Sequence, residues 1–580
     1  MILQALARYY DDLLQQGKIS APGWTKVKIS YALDIGLDGQ LKQVIPTRQD
    51  ETVGKKTVQR PQEMVLPAPI KKTSGASSNF LWENSGYLLG IKQKEEPQRS
   101  LKCFETAREL HHTLLDGVDS PNAKAILRFF DSWQPEEAAQ HPALVGQLEE
   151  VTAGANLVFR VDGTYPQEDM LIRETWEHAQ NQEDRDATRM QCLITGREDE
   201  IAKIHPSIKG VRDAQSSGAA LVSFNAPAFC SYGHEQNYNA PVGKHAAFAY
   251  TAALNHLLSD RNSVQHIGDT TVVCWAEGAE EAYQNLAQFA LFGQEMPGLT
   301  DNDLRAALKR LANGLPCDDL GVDPKRPFYV LGLAPNAARL SVRFFLHDSF
   351  GKLMKNVNDH YDRMEIVRPS FDKQEILPLW LMLQETVNLN SRDKAPSPAM
   401  AGATVRAVFS GGPYPASLLE AVMLRIRAES SVTRGRAAII KAYYLKNPHS
   451  DCPKEVLTVS LNEASNNPAY ILGRLFSVYE AVQQSANPGI NTTIKDKYFN
   501  SAAAMPASIF PVLNNLYQKH LRKLAPGLRI SYDKQVMELK GALGENYPAR
   551  MTLAQQGAFD LGYYHQTQRR YTKKEDQNNG

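Results

Sequence analysis

What the chain lacks narrows its chemistry first. Among 580 residues there are six cysteines (Cys103, Cys192, Cys230, Cys274, Cys317 and Cys452), and no two of them form a CxxC pair. That spacing excludes a zinc ribbon, and six scattered thiols in so long a chain argue against a disulfide framework. His449 and Cys452 stand three residues apart with no second pair near them in sequence, so no metal site is expected. There is no GxxxxGK phosphate loop, no GxGxxG after a strand, no HExxH and no GxSxG. The adjacent His347 and Asp348 have no partner histidine at helical spacing. Without a compact catalytic constellation the chain reads as a non-enzyme with no cofactor. No apolar run reaches the ~20 residues that a membrane span requires. The opening MILQALARYYDDLL has neither a basic n-region nor a small-residue cleavage site, so a cytoplasmic protein without membrane contact is expected. Net charge is absent too: Lys plus Arg and Asp plus Glu number 64 each.

The distribution of charge says more than its sum. From Asn491 to Gly580 there are thirteen Lys and Arg against seven Asp and Glu, whereas Gln134 to Glu200 is acidic. Such segregation can steer a polyanion to one side of a molecule, and it also describes two ordinary solvated faces.

Taken in order, Ile2 to Gln15 carries Leu3, Leu6, Tyr9, Tyr10 and Leu13 at helical spacing, and Val27 to Leu33 alternates like a strand. A basic, Pro-rich segment with Lys55, Lys56, Arg60, Pro61, Pro67 and Pro69 cannot be a regular helix. It leads into Lys71-Lys72-Thr73-Ser74-Gly75-Ala76-Ser77-Ser78-Asn79, where two ammonium groups, hydroxyls, a glycine and an amide suit contact with phosphates and base edges. A flexible surface loop has the same composition, and Asn79 also suits a cap or turn before Phe80. Trp82, Tyr87 and Leu88 to Ile91 read as core. Leu101 to Leu115 is a helix with His111 and His112 on its face. The acidic stretch then holds a strand from Ala155 to Val161 and a helix near Met170 to Ala179, and reads as a peripheral lobe at about 134–200.

Lys203, His205, Lys209 and Arg212 lead into Ser217 to Leu258, the densest concentration of uncharged polar groups. A strand candidate (Ala219 to Phe224) is followed by a loop with Asn225, Ser231, Tyr232, His234, Gln236, Asn237 and Asn239, then by a helix candidate (Lys244 to Leu258). These amides can read base edges or phosphates, or can bond their own turn. A strand from Thr270 to Trp275 and a long helical region beginning near Glu277, Glu280 and Glu281 come next. Phe328 to Leu333 and Leu340 to Leu346 are two further strands. In the second, Leu340, Val342, Phe344 and Leu346 alternate with a mixed face bearing Arg343, with Arg339 two turns of the pleat earlier; the arginines suit a sugar-phosphate backbone or a cross-strand ion pair.

From about Pro468 the pattern is one of amphipathic helices separated by Pro and Gly, a bundle of four or five. Thr552 and Gln555 have capping-box spacing before a last helix with Phe559, Tyr563 and Tyr564. The polar faces carry Arg474, Lys495, Lys497, Lys519, Arg522, Lys523, Arg569, Arg570, Lys573 and Lys574, cations able to guide single-stranded DNA. The expected fold class is therefore α+β, a mixed α/β region over 1–460 followed by an antiparallel helical bundle over 461–580.

Five segments in order resemble one family: KKTSGASSNFLWENSGYLLG (Lys71 to Gly90), the Ser217 to Leu258 stretch, FYVLGLAPNAARLSVRFF (Phe328 to Phe345), Gly473 to Phe510, and LAQQGAFDLGYYHQTQRRYTKKE (Leu553 to Glu575). They resemble the large subunit of type I-C CRISPR interference complexes, the RNA-guided assembly called Cascade. The resemblance implies a subunit that recognises the short PAM motif in double-stranded target DNA, helps open the duplex into an R-loop and holds the displaced single strand. The implied partners are the CRISPR RNA-bearing backbone subunits, small-subunit copies of the chain's own carboxy-terminal bundle, and a separate helicase-nuclease recruited on target binding. Lys71, Lys72, Thr73, Ser74, Gly75 and Asn79, with Asn225, Gln236, Asn237 and Asn239, are the candidates for the PAM duplex; Arg339, Arg343 and the bundle cations are those for the displaced strand. Two other readings stay open: a metal-dependent nuclease with Asp269 and Glu277 as ligands, and a scaffold that touches no DNA.

Overall fold

The computed structural model describes residues 1–53, 56–70, 76–180, 187–260, 263–294, 296–392, 394–544 and 547–571. The chain divides into two compact units, the first built from residues 3–205 and 224–253, the second from 206–223 and 254–580.

In the first unit, α1 (Ile2–Gln15) buries Leu6, Tyr9, Tyr10 and Leu13, the i, i+3, i+4, i+7 stripe that the sequence shows. The strand expected over Val27 to Leu33 is two, β1 (Trp24–Ile29) and β2 (Tyr31–Ile35). They separate at Ser30, whose amide turns aside to the Asn156 carbonyl at 3.0 Å. β2 pairs with β3 (Leu41–Pro46), β4 (Gln49–Val53) with β5 (Lys56–Arg60), and β6 (Gln62–Pro67) returns antiparallel to β1. The Pro-rich segment is thus extended. Pro61 falls between strands and Pro67 at a strand end, where a missing amide disturbs the ladder least.

After β7 (Trp82–Asn84) come α2 (Ser85–Leu88), α3 (Pro97–Leu115), α4 (Pro121–Ser132) and α5 (Leu148–Thr152). β8 (Asn156–Val161), α6 (Met170–Gln180), β9 (Arg189–Gln191) and β10 (Glu198–Glu200) follow. The main sheet has the order β3-β2-β8-β7, with β2 and β8 parallel. The acidic stretch therefore supplies an interior strand: Leu157, Val158, Phe159 and Val161 of β8 are all buried. Its acidic residues mark its surface, while its apolar ones complete the core beneath.

His111 departs from its expected place on an open helix face. It is fully buried among Phe80, Phe130 and Phe159, with ring centroids 4.8 to 5.9 Å away. Burial pushes its pKa down to about 4, so it is neutral at physiological pH.

The central stretch ends in α7 (Lys244–Ser259), as its alanine-rich pattern predicts. Ala219 to Phe224 does not form the expected strand. Ala219 bridges Ile208 and Ala220 bridges Arg339; changing partners at successive residues leaves no ladder to propagate.

The second unit contains an antiparallel sheet in sequence order, β11 (Val264–Ile267), β12 (Thr270–Ala276), β13 (Pro327–Asn336) and β14 (Arg339–Ser349). The helical region expected after β12 is two helices, α8 (Glu281–Phe292) and α9 (Asp301–Ala312). Gly293, left-handed at φ 66°, stops the first. The expected apolar face of β14 holds at Leu340 and Phe344 but fails at Val342, which is 42% exposed. A register shift between Gly332 and Leu333 causes the change of face. Gly332 also leaves room for the Phe344 ring, which any Cβ there would strike.

The remainder is helical, beginning well before the bundle. α10 (Phe350–Met364), α11 (Leu379–Gln384), α12 (Pro398–Ser410), α13 (Ala416–Glu429) and α14 (Arg434–Lys446) share one core with α8, α9 and the sheet. α15 (Pro468–Ala486), α16 (Ile494–Ala504), α17 (Pro506–Leu521), α18 (Pro526–Leu543) and α19 (Leu553–Arg569) then form the bundle. Thr552 and Gln555 close the capping box at the start of α19. α15 and α19 meet at backbone distance: a Cβ at Gly473 would strike the Phe559 carbonyl, and one at Gly562 the Tyr470 carbonyl. The molecule is a mixed α+β amino-terminal region followed by a helical carboxy-terminal region, the class that the sequence predicts.

Candidate nucleic-acid interface

Four groups of candidate residues fall in four places. Lys71, Lys72, Thr73, Ser74 and Gly75 lie outside the described residues; the residues on either side of them are held to the core. Asn79 is buried; its Oδ1 accepts from the Ile70 amide at 3.1 Å and its Nδ2 donates to Glu83 at 2.9 Å. One side chain thus ties residue 70 to residue 79. Leu81, at φ +67°, donates its amide to Nε2 of the neutral His111 at 3.0 Å, and the Trp82 indole donates to the Pro67 carbonyl at 2.8 Å. Both ends of the segment are fixed to the core of the first unit, and the Asn79 amide is fully engaged in fixing them.

The second group is the loop before α7. Asn239 organises it: Nδ2 donates to the carbonyls of His234 and Gln236 and Oδ1 accepts from the Ser231 amide, each at 2.9 Å. Asn237 is buried, its amide donating to the Lys203 carbonyl at 3.3 Å. These two asparagines shape the loop, while others face outward. Tyr232, 97% exposed at φ +53°, forms the tip beside exposed His234, and Asn225 and Phe229 are exposed earlier in the loop. Gln236 is half-buried at φ +50°. Non-glycine residues held at positive φ cluster where a loop is constrained for use. His205 is buried with Nδ1 2.7 Å from the Tyr250 hydroxyl; burial pushes its pKa down to about 4.

On the second unit's sheet, Arg343 forms an ion pair with Asp269 at 2.7 Å, and Arg339 is half-buried at the start of β14. Of the sequence's two readings for Arg343, an ion pair is present, made with Asp269 of the turn between β11 and β12 rather than with a residue of a facing strand. Asp269 and Glu277 stand at opposite ends of β12. At ~3.3 Å per residue the intervening strand separates them by about 25 Å, so they cannot share a metal ion. Glu277 accepts instead from the Tyr329 hydroxyl at 2.6 Å. Among the described residues no three His, Cys, Asp or Glu side chains come together as metal ligands.

The bundle cations divide in two. Arg474, Arg569 and Arg570, distant in sequence, line one polar cavity of about 550 Å³ with Glu463 and Glu538. Each already has a partner there: Arg474 donates to Gln566 at 3.1 Å, Arg569 pairs with Glu463 at 3.1 Å and Arg570 donates to Gln484 at 3.2 Å. Lys497, Lys519, Arg522 and Lys523 are exposed, the last three at the carboxy-terminal end of α17, where cations also complement the helix dipole. Lys495 is half-buried in the first turn of α16. Lys573 and Lys574 lie outside the described residues.

Sequence reasoning named Arg212 but missed Lys394 and Arg406, which the second unit brings to the same cavities beside the Asp269–Arg343 pair. No local spacing could have joined residues separated by nearly two hundred positions.

These features are those of a protein built to present loops and cationic surfaces. The chain matches the family model described as CRISPR-associated protein (Cas_Csd1) over residues 6–571, and it belongs to that family. It is thus a CRISPR-associated Cascade subunit, one component of a multi-subunit complex. No curated protein matches it. Among the described residues no helix is long and apolar enough to cross a membrane.

Proposed function

We propose that this chain is the non-catalytic large subunit of a type I-C interference complex, which recognises the PAM in duplex DNA, helps to open it and holds the displaced strand. Its partners in this reading are the CRISPR RNA-bearing backbone subunits, small-subunit copies of its own bundle and a recruited helicase-nuclease. The observation that carries the reading is the loop before α7: Asn239 holds it from within by three hydrogen bonds, leaving Asn225, Tyr232 and His234 at the surface. A preorganised polar loop with an aromatic tip suits base-edge contact at a duplex that is about to open. The exchange of a DNA duplex for an RNA-DNA hybrid is nearly balanced, so a few such contacts decide whether opening begins.

In this reading the candidates take two roles. Asn79, Asn237 and Asn239 shape the loops. Lys71, Lys72, Thr73, Ser74, Asn225 and Gln236 are the contacts. The test is binding of target DNA at fixed salt by the RNA-loaded complex with and without this chain, on duplexes that differ only in the PAM. Affinity for the PAM-bearing duplex is expected to collapse without the chain while a pre-opened strand still binds. Equal binding of both duplexes in either case would move PAM reading to another subunit and leave this one a scaffold. Within the chain, replacing Lys71 and Lys72 together with Ala is expected to weaken PAM-duplex binding by about one decade, consistent with the loss of phosphate contacts, with no change in melting temperature.

A further inference from the structure

Two cavities of the second unit adjoin. The first, of about 640 Å³, is lined by Arg212, His266, Asp269, Trp380 and Lys394; the second, of about 510 Å³, by Arg343 and Arg406. Pro398, the first residue of α12, lines both, and the Asp269–Arg343 ion pair stands where they meet. Together they form a groove along the start of α12. Its wall there is Pro398, Ala399, Gly402 and Ala403, residues too small to obstruct a chain lying against the helix.

The electrostatics favour an anion. Four Arg and Lys line the groove against two Asp, and each Asp already has an arginine beside it, Asp269 at 2.7 Å from Arg343 and Asp213 at 3.8 Å from Arg212. Among the described residues neither Lys394 nor Arg406 has a carboxylate partner. Burial and the Arg212 charge lower the pKa of His266 on the groove wall, against an opposing contribution from Asp213. The aromatic content is equally selective. Five of the six tryptophans are at most 9% exposed, but Trp380, at the groove's edge, is 49% exposed. A cationic track beside an open indole face is the arrangement that binds single-stranded nucleic acid without reading its sequence, since every base has a face to stack.

We propose that this groove holds single-stranded DNA, with a base stacked on Trp380 and phosphates on Lys394 and Arg406. It extends the function proposed above by giving the displaced strand a site outside the bundle, and it rests on that reading.

The exposed indole provides the test. Oligothymidylate of twenty residues is titrated into the full chain while tryptophan emission and the anisotropy of a label on the DNA are followed. Binding is expected to quench the emission. Trp380→Phe, an exposed change that leaves the melting temperature unaltered, is expected to abolish the quench, and Trp380→Ala to weaken binding about tenfold. Lys394→Ala and Arg406→Ala should each reduce the slope of log affinity against log salt by about 0.7. Saturable binding without any change in emission, or tighter binding of oligouridylate than of the DNA, overturns the assignment. PAM-dependent duplex binding, measured in parallel, separates the two claims. Its loss in loop variants with the quench intact supports both, while an absent quench with PAM dependence intact removes the groove alone.

Discussion

The two sides of the bundle are built on opposite principles. Where α15 meets α19, Gly473 and Gly562 bring the backbones together and His565 is buried beside the Tyr470 and Tyr564 rings; Asp560 of α19 is buried too. On the far side, α18 buries only Val536, Leu539 and Leu543, and leaves Leu528, Ile530 and Met537 exposed. The seam resembles a protein interior in which every atom has a neighbour; α18 is a helix held along one narrow stripe. Stability should therefore be concentrated at the seam, and variation on α18 should be tolerated.

The sharpest way to break that contrast is Gly562→Val. The collision is with a carbonyl of the facing helix rather than with a movable side chain, so we expect a loss at or above the ~3 kcal/mol typical of severe overpacking, read as the urea midpoint. Gly473→Ala should behave alike. Retention of full stability in either would mean that the helices can part without cost.

Asp560 gives the next largest effect, and its sign depends on pH. Both carboxyl oxygens are buried without a partner, and burial raises its pKa well above the ordinary value. Ionising it inside the fold costs more than in the unfolded chain, so it lowers stability as pH rises above ~3.8. His565 acts oppositely: burial, then the Lys441 and Arg474 charges, push its pKa down to about 3, and its neutral form costs stability as pH falls below ~6.5. In acid the two slopes, neither steeper than about 1.4 kcal/mol per unit, oppose one another. Asp560→Asn should raise stability at pH 7 by about 1–3 kcal/mol and expose a steeper decline in acid. A parallel pH profile for wild type and variant would show instead that the carboxyl is solvated.

Asn79→Ala should cost about 1–3 kcal/mol, because the Ile70 amide and the buried Glu83 both lose a partner. The exchange of Met537 for Ser on α18 should move the midpoint by no more than about 0.5 kcal/mol; a large loss there would erase the distinction between the two sides of the bundle.

The same contrast explains what the sequence made legible. Helices with their own stop signals and stripes, such as α1, α7 and α19, can be read from local spacing, because the forces that define them act within a turn or two. Ala219 to Phe224 looks like a strand, but a strand needs a continuous partner, and its neighbours change at each residue. Val342 is displaced by a bulge at its neighbour Arg343, which alternation along the strand does not announce. His111 looks like a surface histidine until β8, some forty residues later, closes over it. At the site, the amide-rich loop was visible as composition; which amides face inward was not, since Asn237 and Asn239 differ from Asn225 only in what surrounds them. The α12 groove was invisible for the same reason, its residues being joined by folding alone.

The bond from Asn79 to Ile70 has one more consequence. By closing the segment between them at its base, it separates the history of that segment from the history of the fold. The entropy of a closed loop grows only as the logarithm of its length, about 0.6 kcal/mol for each doubling. The bonds that anchor its two ends, from Asn79 to Ile70 and to Glu83, do not depend on the side chains of residues 71–75. In the function proposed above, such a division lets the contact residues change while the anchoring bonds of Asn79 stay in place.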